Sequence, residues 1–546
     1  IGVFFGKTRI SLSNSLPAAV PFDKIATMGE KVRTSTRSPV SQKIGFWFGI
    51  LTFLLLTCFG GLKGENAIIG RMAAIAVLMA IWWITDAVPL AATSLVPLVL
   101  YPLFGIMPGK ELAPVYINYV IFLFLGGFLI ALAMERWNLH RRIALNIINF
   151  VGSKPSRLVL GFMVATAFLS MWISNIATAT MMLAIGLAVI KQTEDSFGEG
   201  RTKNLSIALL LGIAYSASIG GMATIVGTPP NLALVRIFEL SFPKAVESGY
   251  YISFGQWMIF ALPLSLILLS IVWLMLTRVL FRSDNDLEIA PEILRKEKEA
   301  LGPMKFEEIA VAIVFATTAL LWVFRRDLTL GDFTLPGWSG LLPFGSLIDD
   351  GTIAVTMALT LFLIPSRKTA DNPGPHHTLL DGSVFAKIPW HIILLFGGGF
   401  ALAKGFQVSG LSEWVGGHFT GLEDSPTWVI VASLCGGITF LTELTSNTAT
   451  TEMILPLLAS IATAAKIHPL FLMIPATVAA SCAFMMPVAT PPNALVFSSG
   501  KLRVADMVKA GIFINLIAIV VVTGVFLLLG PTVFQIDPEA FPEWAQ

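Results

Sequence analysis

Charged residues are scarce in this sequence. Asp, Glu, Lys and Arg make up 13% of the 546 residues, whereas 55% are hydrophobic and the mean hydropathy is +0.79. A soluble domain averages about 25% charged residues, so the composition excludes an ordinary soluble protein. The formal net charge of +2 indicates no nucleic-acid partner. Because a helix needs about 20 mostly apolar residues to cross a bilayer, we predict an all-α polytopic membrane protein surrounded by lipid. Its clearest apolar runs are Gln42–Leu62, Met72–Leu103, Leu158–Ile173, Phe254–Leu280, Glu308–Phe324, Thr427–Leu441 and Ala510–Leu529.

Cysteine and histidine are also few. The three cysteines lie in apolar segments at unrelated spacings, which argues against a disulfide framework or a metal site. The six histidines form no H-E-x-x-H motif, so nothing indicates an intramembrane metalloprotease. The pair His376–His377 lies in a Pro/Gly-rich stretch typical of a surface loop. An enzyme is therefore not predicted, while a passive channel stays an alternative.

The charges that are present predict the topology. The first 45 residues carry seven Lys or Arg against two acidic residues, which places them in the cytoplasm, although the segment could also be a targeting sequence. The tail after the last apolar run has three acidic residues and no basic one, so we expect it outside. The protein is expected in a plasma or inner membrane. The expected segments are 1–41 (cytoplasmic), 42–281 (first transmembrane helix and first repeat), 282–305 (cytoplasmic linker), 306–530 (second repeat) and 531–546 (extracytoplasmic tail).

Three motifs occur twice in the same order. SNIATAT at Ser174–Thr180 is followed 272 residues later by SNTATT at Ser446–Thr451, and GGF at Gly126 and Gly398 has the same separation. TPPN begins at Thr228 and again at Thr490, 262 residues apart; a longer polar loop between SN and TPPN in the first half explains the difference. If each half crosses the membrane five times, the two copies must have opposite orientations in the membrane. Only then do the charged termini and the linker lie on the sides predicted above. With one further N-terminal helix, the two copies predict about eleven transmembrane helices in an inverted repeat.

The motifs predict interruptions in membrane helices. Two consecutive prolines cannot continue a helix, and Ser and Asn are favoured helix N-caps. The GGF glycines suit the tips of re-entrant hairpins, where backbones approach closely. We therefore expect one re-entrant hairpin and one broken helix in each half. Backbone groups that are freed at membrane depth must line a cavity or be buried in protein.

Such breaks are suited to binding ions. Ser170 lies four residues before Ser174, and Thr442 lies four before Ser446, so each hydroxyl pair is expected to share a helix face and converge on one cation. No charged residue lies within the SN or TPPN motifs, so a bound anion would rely on helix N-termini and Na⁺. The charged residues of the apolar regions nearby are Asp86, Glu135, Arg136, Lys404, Glu443 and Glu452. For Glu443 we expect structural pairing or hairpin support.

The doubled SN and TPPN motifs, together with IWWITDAVPLAATSLVP at Ile81–Pro97, resemble the divalent anion/sodium symporter (DASS) family. The resemblance extends from about Gln42 to Leu529. It implies eleven transmembrane helices, a homodimer, and a transport domain that carries substrate and Na⁺ past a scaffold domain as an elevator. Family substrates are C4-dicarboxylates such as succinate, malate and fumarate, or citrate, or sulfate.

By position, the resemblance implies two sodium sites and one substrate site. The first sodium site would use Ser170, Ser174, Asn175 and Gly227, and the second Thr442, Ser446, Asn447 and Ala489. The substrate carboxylates would be bound by Ser174, Asn175, Ser446, Asn447 and Thr448, with Thr490 and Pro491 close by.

The first motif departs from the family pattern S-N-T, because Ile176 stands where the second copy has Thr448. Ile176 cannot donate a hydrogen bond, so one substrate contact is missing and substrate identity is less constrained. The favoured function is Na⁺-coupled symport of a dianionic C4-dicarboxylate. The alternatives are a Na⁺-independent dicarboxylate exchanger and a citrate or sulfate symporter on the same fold.

Overall fold

The computed structural model describes residues 39–59, 67–152, 154–283, 292–330, 333–367, 378–417, 426–538 and 540–545. The N-terminal segment to residue 38 and the His376–His377 pair lie outside these residues. In the described chain, nine helices are long and apolar enough to cross a membrane, and five shorter apolar helices accompany them. These helices confirm an all-α polytopic membrane protein. The count of eleven crossings stays a prediction.

The N-terminal region contains six helices. The run Met72–Leu103, expected as one apolar segment, is interrupted in the sequence TDAVP: the backbone of Asp86 has a positive φ of 54°, and Pro89 lacks an N–H. The elements are α1 (Pro39–Phe59), α2 (Ala67–Thr85), α3 (Leu90–Thr93), α4 (Val96–Leu103), α5 (Gly109–Tyr116) and α6 (Tyr119–Arg136).

The remainder of the first half holds the first SN and TPPN motifs. Its last helix continues into a π-helical turn, Met275–Leu280. The elements are α7 (Leu139–Val151), α8 (Pro155–Ser170), α9 (Asn175–Phe197), α10 (Glu199–Met222), α11 (Pro229–Ser241), α12 (Pro243–Glu247) and α13 (Phe254–Leu274).

The second half follows the polar linker, of which residues 292–301 are helical. A buried ion pair between Arg142 and Glu308, 3.0 Å apart, joins α7 to the start of the second half. Its α-helices are α14 (Glu292–Leu301), α15 (Phe306–Val323), α16 (Asp350–Leu363), α17 (Trp390–Ser409), α18 (Leu411–Gly416), α19 (Thr427–Thr442), α20 (Asn447–Ala464), α21 (Leu470–Ala480), α22 (Pro491–Ser498) and α23 (Val504–Val533). Two short strands, β1 (Leu328–Leu330) and β2 (Phe333–Leu335), pair antiparallel, and 3₁₀ turns span Trp338–Leu341, Gly345–Leu347, Gly382–Lys387 and Glu543–Ala545.

The two halves contain matching elements in the same order. Helix α6 corresponds to α17, the pair α8–α9 to α19–α20, and the pair α10–α11 to α21–α22. The halves also pack against each other, because α9 contacts α22 and α11 contacts α20. The motif-bearing helices of one half therefore lie beside those of the other.

The GGF glycines do not lie at hairpin tips, and that expectation was wrong. Gly126 is inside the continuous helix α6, and Gly398 is inside α17. A Cβ at Gly126 would lie 2.5 Å from the backbone carbon of Ala354, and one at Gly398 would lie 2.6 Å from Ser94 Cβ. These glycines therefore allow close helix packing, which is a common role for small residues in membrane proteins.

Candidate functional site

The first SN motif joins two helices. Helix α8 ends at Ser170 and α9 begins at Asn175, with Ser174 as the N-cap that accepts a hydrogen bond from the Ala177 N–H at 3.2 Å. Ser170 is fully buried, and its Oγ lies 2.6 Å from Asn175 Oδ1 and 2.7 Å from the Ala217 carbonyl oxygen. These contacts fix the orientation of the Asn175 amide at the start of the new helix.

The second SN motif repeats this arrangement with different residues. Helix α19 ends at Thr442 and α20 begins at Asn447. Thr442 Oγ1 lies 2.8 Å from Asn447 Oδ1 and 2.8 Å from the Ala480 carbonyl oxygen. Each half thus uses a buried hydroxyl at a helix C-terminus to position an asparagine amide at the next helix N-terminus.

The TPPN motifs mark the second kind of break, as predicted. Helix α10 ends at Met222 and α11 begins at Pro229, while α21 ends at Ala480 and α22 begins at Pro491. Asn231 Nδ2 donates to the carbonyl oxygens of Thr224 at 2.8 Å, of Met222 at 3.2 Å and of Gly221 at 3.3 Å.

The second break uses the same device, because Asn493 Nδ2 donates to the carbonyls of Ala483 and Met486, each at 3.1 Å. Both asparagines belong to the TPPN motif, although only its prolines were used to predict the break. Their amides bind the backbone carbonyls that the break leaves without helical donors, which must be paired at membrane depth. Asn231 and Asn493 are therefore structural residues.

Neutral oxygen atoms lie against two glycines in the first half. A Cβ at Gly221 would lie 2.7 Å from Asn175 Oδ1 and 3.1 Å from the Gly227 carbonyl oxygen. A Cβ at Gly227 would lie 2.5 Å from the Gly221 carbonyl oxygen and 3.0 Å from that of Met171. Because both residues are glycines, these oxygens can lie where a side chain would otherwise be. Backbone carbonyls at helix breaks and side-chain oxygens of this kind suit Na⁺.

The second half differs at the positions of the two glycines. Ala483 and Ala489 stand 262 residues after Gly221 and Gly227, and both are buried. The local backbone is otherwise alike, because the N–H of Ala489 donates to the Met486 carbonyl as that of Gly227 does to Thr224. Two methyl groups therefore stand in the second half at positions that carry no side chain in the first.

Comparison with known proteins settles the family. Residues 48–536 match the family model described as the sodium:sulfate symporter transmembrane region. The chain belongs to this family. It is 43% identical over 507 residues to the sodium-dependent dicarboxylate transporter SdcS of Staphylococcus saprophyticus, covering 91% of this chain and 93% of that one. It is 42% identical over 513 residues to SdcS of Staphylococcus aureus strain USA300, covering 92% and 95%.

The predicted membership of the divalent anion/sodium symporter family is thereby confirmed, and its members are transporters, not enzymes. The fold also resembles the crystal structure of the YdaH transporter of Alcanivorax borkumensis. The TM-score is 0.52 at 13% identity, and the match covers 84% of this chain and 99% of that one. At this identity the likeness concerns the fold alone.

One predicted geometry in this symporter was wrong. Ser170 and Ser174 were expected to share a helix face, and likewise Thr442 and Ser446. Helix α8 ends at Ser170 and helix α19 ends at Thr442. Ser174 and Ser446 therefore lie in the breaks that follow these helices. The buried hydroxyl of Ser170 or Thr442 instead forms a hydrogen bond with the asparagine five residues later. The hydroxyl oxygen keeps a lone pair that can coordinate a cation.

The predicted substrate residues differ in accessibility. Ser174 is exposed, and Asn175, Ser446, Asn447 and Pro491 are partly buried. Ile176 is 41% exposed, whereas its counterpart Thr448 is 9% exposed. Thr490 is buried and caps α22, where its hydroxyl accepts from the Asn493 N–H at 3.2 Å. The two halves therefore present different surfaces to a ligand.

Glu443 has the structural role that the sequence predicted. It is 3% exposed, and its carboxylate accepts hydrogen bonds from the N–H groups of Met485 and Met486, each at 2.8 Å. Asn515 Nδ2 on α23 donates to the same carboxylate at 2.8 Å. Glu443 therefore joins the break between α19 and α20 to the break between α21 and α22.

Two other charged candidates have partners away from the motifs. Arg136 pairs with Asp381 at 2.6 Å, and the Ser383 side chain donates to the same carboxylate. The hydrogen bond from Ser383, followed by that from Arg136, lowers the pKa of Asp381 to about 2. Lys404 Nζ donates to Gln407 Oε1 at 2.8 Å. Arg136 and Lys404 therefore serve other contacts of the symporter.

Proposed function

We propose that this protein is a secondary active transporter that couples the movement of Na⁺ to that of a C4-dicarboxylate such as succinate, malate or fumarate. The observation that carries the proposal is the first group of oxygens, formed by the Asn175 amide and the carbonyls of Gly221, Gly227 and Met171. The matching contact of Thr442 with Asn447 in the second half supports a site with two halves. Relatives at 42–43% identity are named sodium-dependent dicarboxylate transporters, which supports the same substrate and ion here.

The Na⁺ ions would be held by neutral ligands. Ser170, Ser174, Asn175 and Gly227 form the proposed first site, and Thr442, Ser446, Asn447 and Ala489 the second. Neither motif pair contains Lys or Arg. A dianion would therefore be poorly bound without Na⁺, since only helix N-termini would offset its charge. This dependence couples the substrate to the ion.

The substrate would lie between the SN motifs. One carboxylate would contact Ser174 and Asn175 at the start of α9. The other would contact Ser446, Asn447 and Thr448 at the start of α20, near Thr490 and Pro491. The packing of α9 on α22 and of α11 on α20 supports this shared site, because each half lies against the motif-bearing helices of the other.

The movement proposed is that of an elevator in a homodimer. Helices α8–α11 and α19–α22 would move together with the substrate, while α6 and α17 would belong to the static scaffold. Residues 42–281 would contain the first transmembrane helix followed by the first inverted repeat, and 306–530 would be the second repeat. Residues 1–41 and the linker 282–305 would face the cytoplasm, and the tail 531–546 would lie outside. Eleven crossings and two re-entrant hairpins, α8–α9 and α19–α20, complete this arrangement.

Uptake into proteoliposomes tests the proposal. We expect succinate to accumulate under an inward Na⁺ gradient and not under an equal K⁺ gradient, because Na⁺ completes the anion site. Uptake that requires only internal dicarboxylate, and no Na⁺, would support the exchanger instead. Passive current in a planar bilayer would indicate a channel.

Ile176→Thr tests the asymmetry of the site. The substitution adds a hydroxyl at an exposed position beside Asn175 and restores the S-N-T pattern. One hydrogen bond contributes about 0.5–1.5 kcal/mol, so we expect the KM for succinate to fall roughly two- to tenfold. The control Ile176→Val adds no donor and should leave the KM within about twofold of wild type. An unchanged KM in Ile176→Thr would show that this position does not face the substrate.

A further inference from the structure

Glu452 is a carboxyl group for which the transport site described above has no use. It lies on α20, five residues after Asn447, and is 0% exposed. Neither Oε1 nor Oε2 has a hydrogen-bond partner among the described residues. Buried polar atoms are normally paired, so this side chain requires an explanation.

A glycine of α17 accommodates the Glu452 side chain. A Cβ at Gly399 would lie 1.2 Å from Glu452 Oε2, 2.2 Å from its Cδ and 2.8 Å from its Cβ. The carboxyl therefore occupies the space that a larger residue at position 399 would fill. This contact lies between α20, which bears the SN motif, and α17, which we assign to the scaffold.

The feature belongs to the second half alone. The residue 272 positions before Glu452 is Thr180, and the one before Pro456 is Ala184. Pro456 stands one helical turn after Glu452 and has no N–H to offer the Glu452 carbonyl. The first half therefore has neither the buried carboxyl nor the proline at the matched positions.

The other charged residues on the helices that pack against α20 have partners other than Glu452. Arg236 pairs with Glu239 at 3.1 Å, and Arg71 Nη1 donates to the Phe104 carbonyl at 3.0 Å. Lys404 binds Gln407, and Glu443 accepts from Met485, Met486 and Asn515, as described above. Helix α21 carries no ionisable residue. The remaining ionisable groups of α11, α17, α18, α19 and α2 are His391, Glu413 and Cys435.

These three also lie away from Gly399. His391 stands eight residues before it on α17, which is more than two helical turns. Helix α18, which carries Glu413, meets α20 near Ala464, three turns after Glu452. The Cys435 thiol on α19 contacts the Pro475 carbonyl. The described residues therefore provide no counter-ion for an ionised Glu452.

We propose that Glu452 is a proton-binding site of this transporter. An ionised carboxylate buried without a partner is strongly disfavoured, so the group is a neutral carboxylic acid while it lies against Gly399. The consequence for transport rests on the proposed function, in which α20 moves away from α17. Water then reaches the carboxyl, which releases its proton to solvent. Proton binding thus favours the conformation described here, by up to about tenfold per pH unit for one proton.

Infrared spectroscopy of the purified full-length protein tests the proton directly. We expect the absorption of a protonated carboxyl at neutral pH in wild type and its loss in Glu452→Gln. The matched control Glu413→Gln removes an exposed carboxyl on α18 and should keep the band. A band of equal intensity in wild type and Glu452→Gln, or no such band in wild type, would overturn the proposal. If Glu452→Gln does not fold, Glu452→Thr supplies the residue found at the matched position 180.

Thermal unfolding against pH gives a second measurement that needs neither Na⁺ nor substrate. If the folded protein holds a proton that the unfolded chain releases, the unfolding temperature falls as pH rises above the carboxyl's unfolded range. Glu452→Gln should flatten this slope, and equal slopes would contradict the proposal. If Glu452 were a carboxylate that binds Na⁺, added Na⁺ would raise the unfolding temperature less in Glu452→Gln than in wild type, and that result would also contradict the proposal. Both readouts are independent of uptake, so failure of the proposed transport function would be seen separately.

Discussion

Replacing Asn175 or Asn447 with alanine should abolish Na⁺-driven dicarboxylate uptake while leaving a folded protein. Each amide is oriented by a buried hydroxyl, Ser170 or Thr442, and is partly exposed at the start of a helix. In the proposed site, its removal would delete an oxygen ligand of the ion and a donor to the substrate. A hydrogen bond to a charged group is worth about 1.5–3 kcal/mol, so loss of both contacts should reduce succinate uptake by at least two orders of magnitude.

The matched control is Asn231→Ala, which removes the same side chain from the TPPN motif. Its amide binds three backbone carbonyls and is fully buried. We therefore expect Asn231→Ala to lower folded yield, whereas Asn175→Ala should elute and unfold as wild type does. Wild-type uptake in Asn175→Ala or Asn447→Ala would exclude the proposed site.

Glu443→Ala should cause the largest loss of stability. The carboxylate accepts from the N–H groups of Met485 and Met486 and from Asn515. Each buried donor left unpaired costs about 1–3 kcal/mol, so three of them amount to a large part of the stability of a membrane domain. We expect little folded protein, as measured by monodisperse elution and by the unfolding temperature.

Two variants make this result interpretable. Glu443→Gln keeps the size but turns one acceptor into a donor that faces other donors, so it should be destabilised as well. The control Glu299→Ala removes an exposed carboxylate on α14 that pairs with Arg295 at 3.4 Å. Exposed ion pairs contribute about 0–1 kcal/mol to the free energy of unfolding, so this variant should be nearly as stable as wild type. Normal stability of Glu443→Ala would show that the carboxylate does not hold the break.

The breaks of the helices could be predicted because their cause is local. Two consecutive prolines end a helix in any surroundings. Because SN and TPPN each occur twice at matched positions, these interruptions could be recognised as features of the fold. The role of Glu443 also followed from its position beside the second SN motif. Composition alone was enough to predict a polytopic membrane protein.

Other features depend on the partner helix and could not be read from spacing. Gly126 and Gly398 resemble hairpin-tip residues, yet their function is set by Ala354 and Ser94, which are distant in sequence. The pairing of Ser170 with Asn175 required knowing where α8 ends. The contact of Glu452 with Gly399 likewise joins two helices whose register the sequence does not give.

Ligand stabilisation of the purified protein tests the central claim most directly. We expect succinate to raise the unfolding temperature in NaCl and not in KCl, because a ligand at 100 times its Kd stabilises the folded state by about 2.7 kcal/mol. Asn175→Ala and Asn447→Ala should lose this stabilisation. Citrate and sulfate should have smaller effects at the same concentration. Equal stabilisation by succinate in KCl, or stabilisation by citrate or sulfate alone, would contradict a Na⁺-dependent dicarboxylate site.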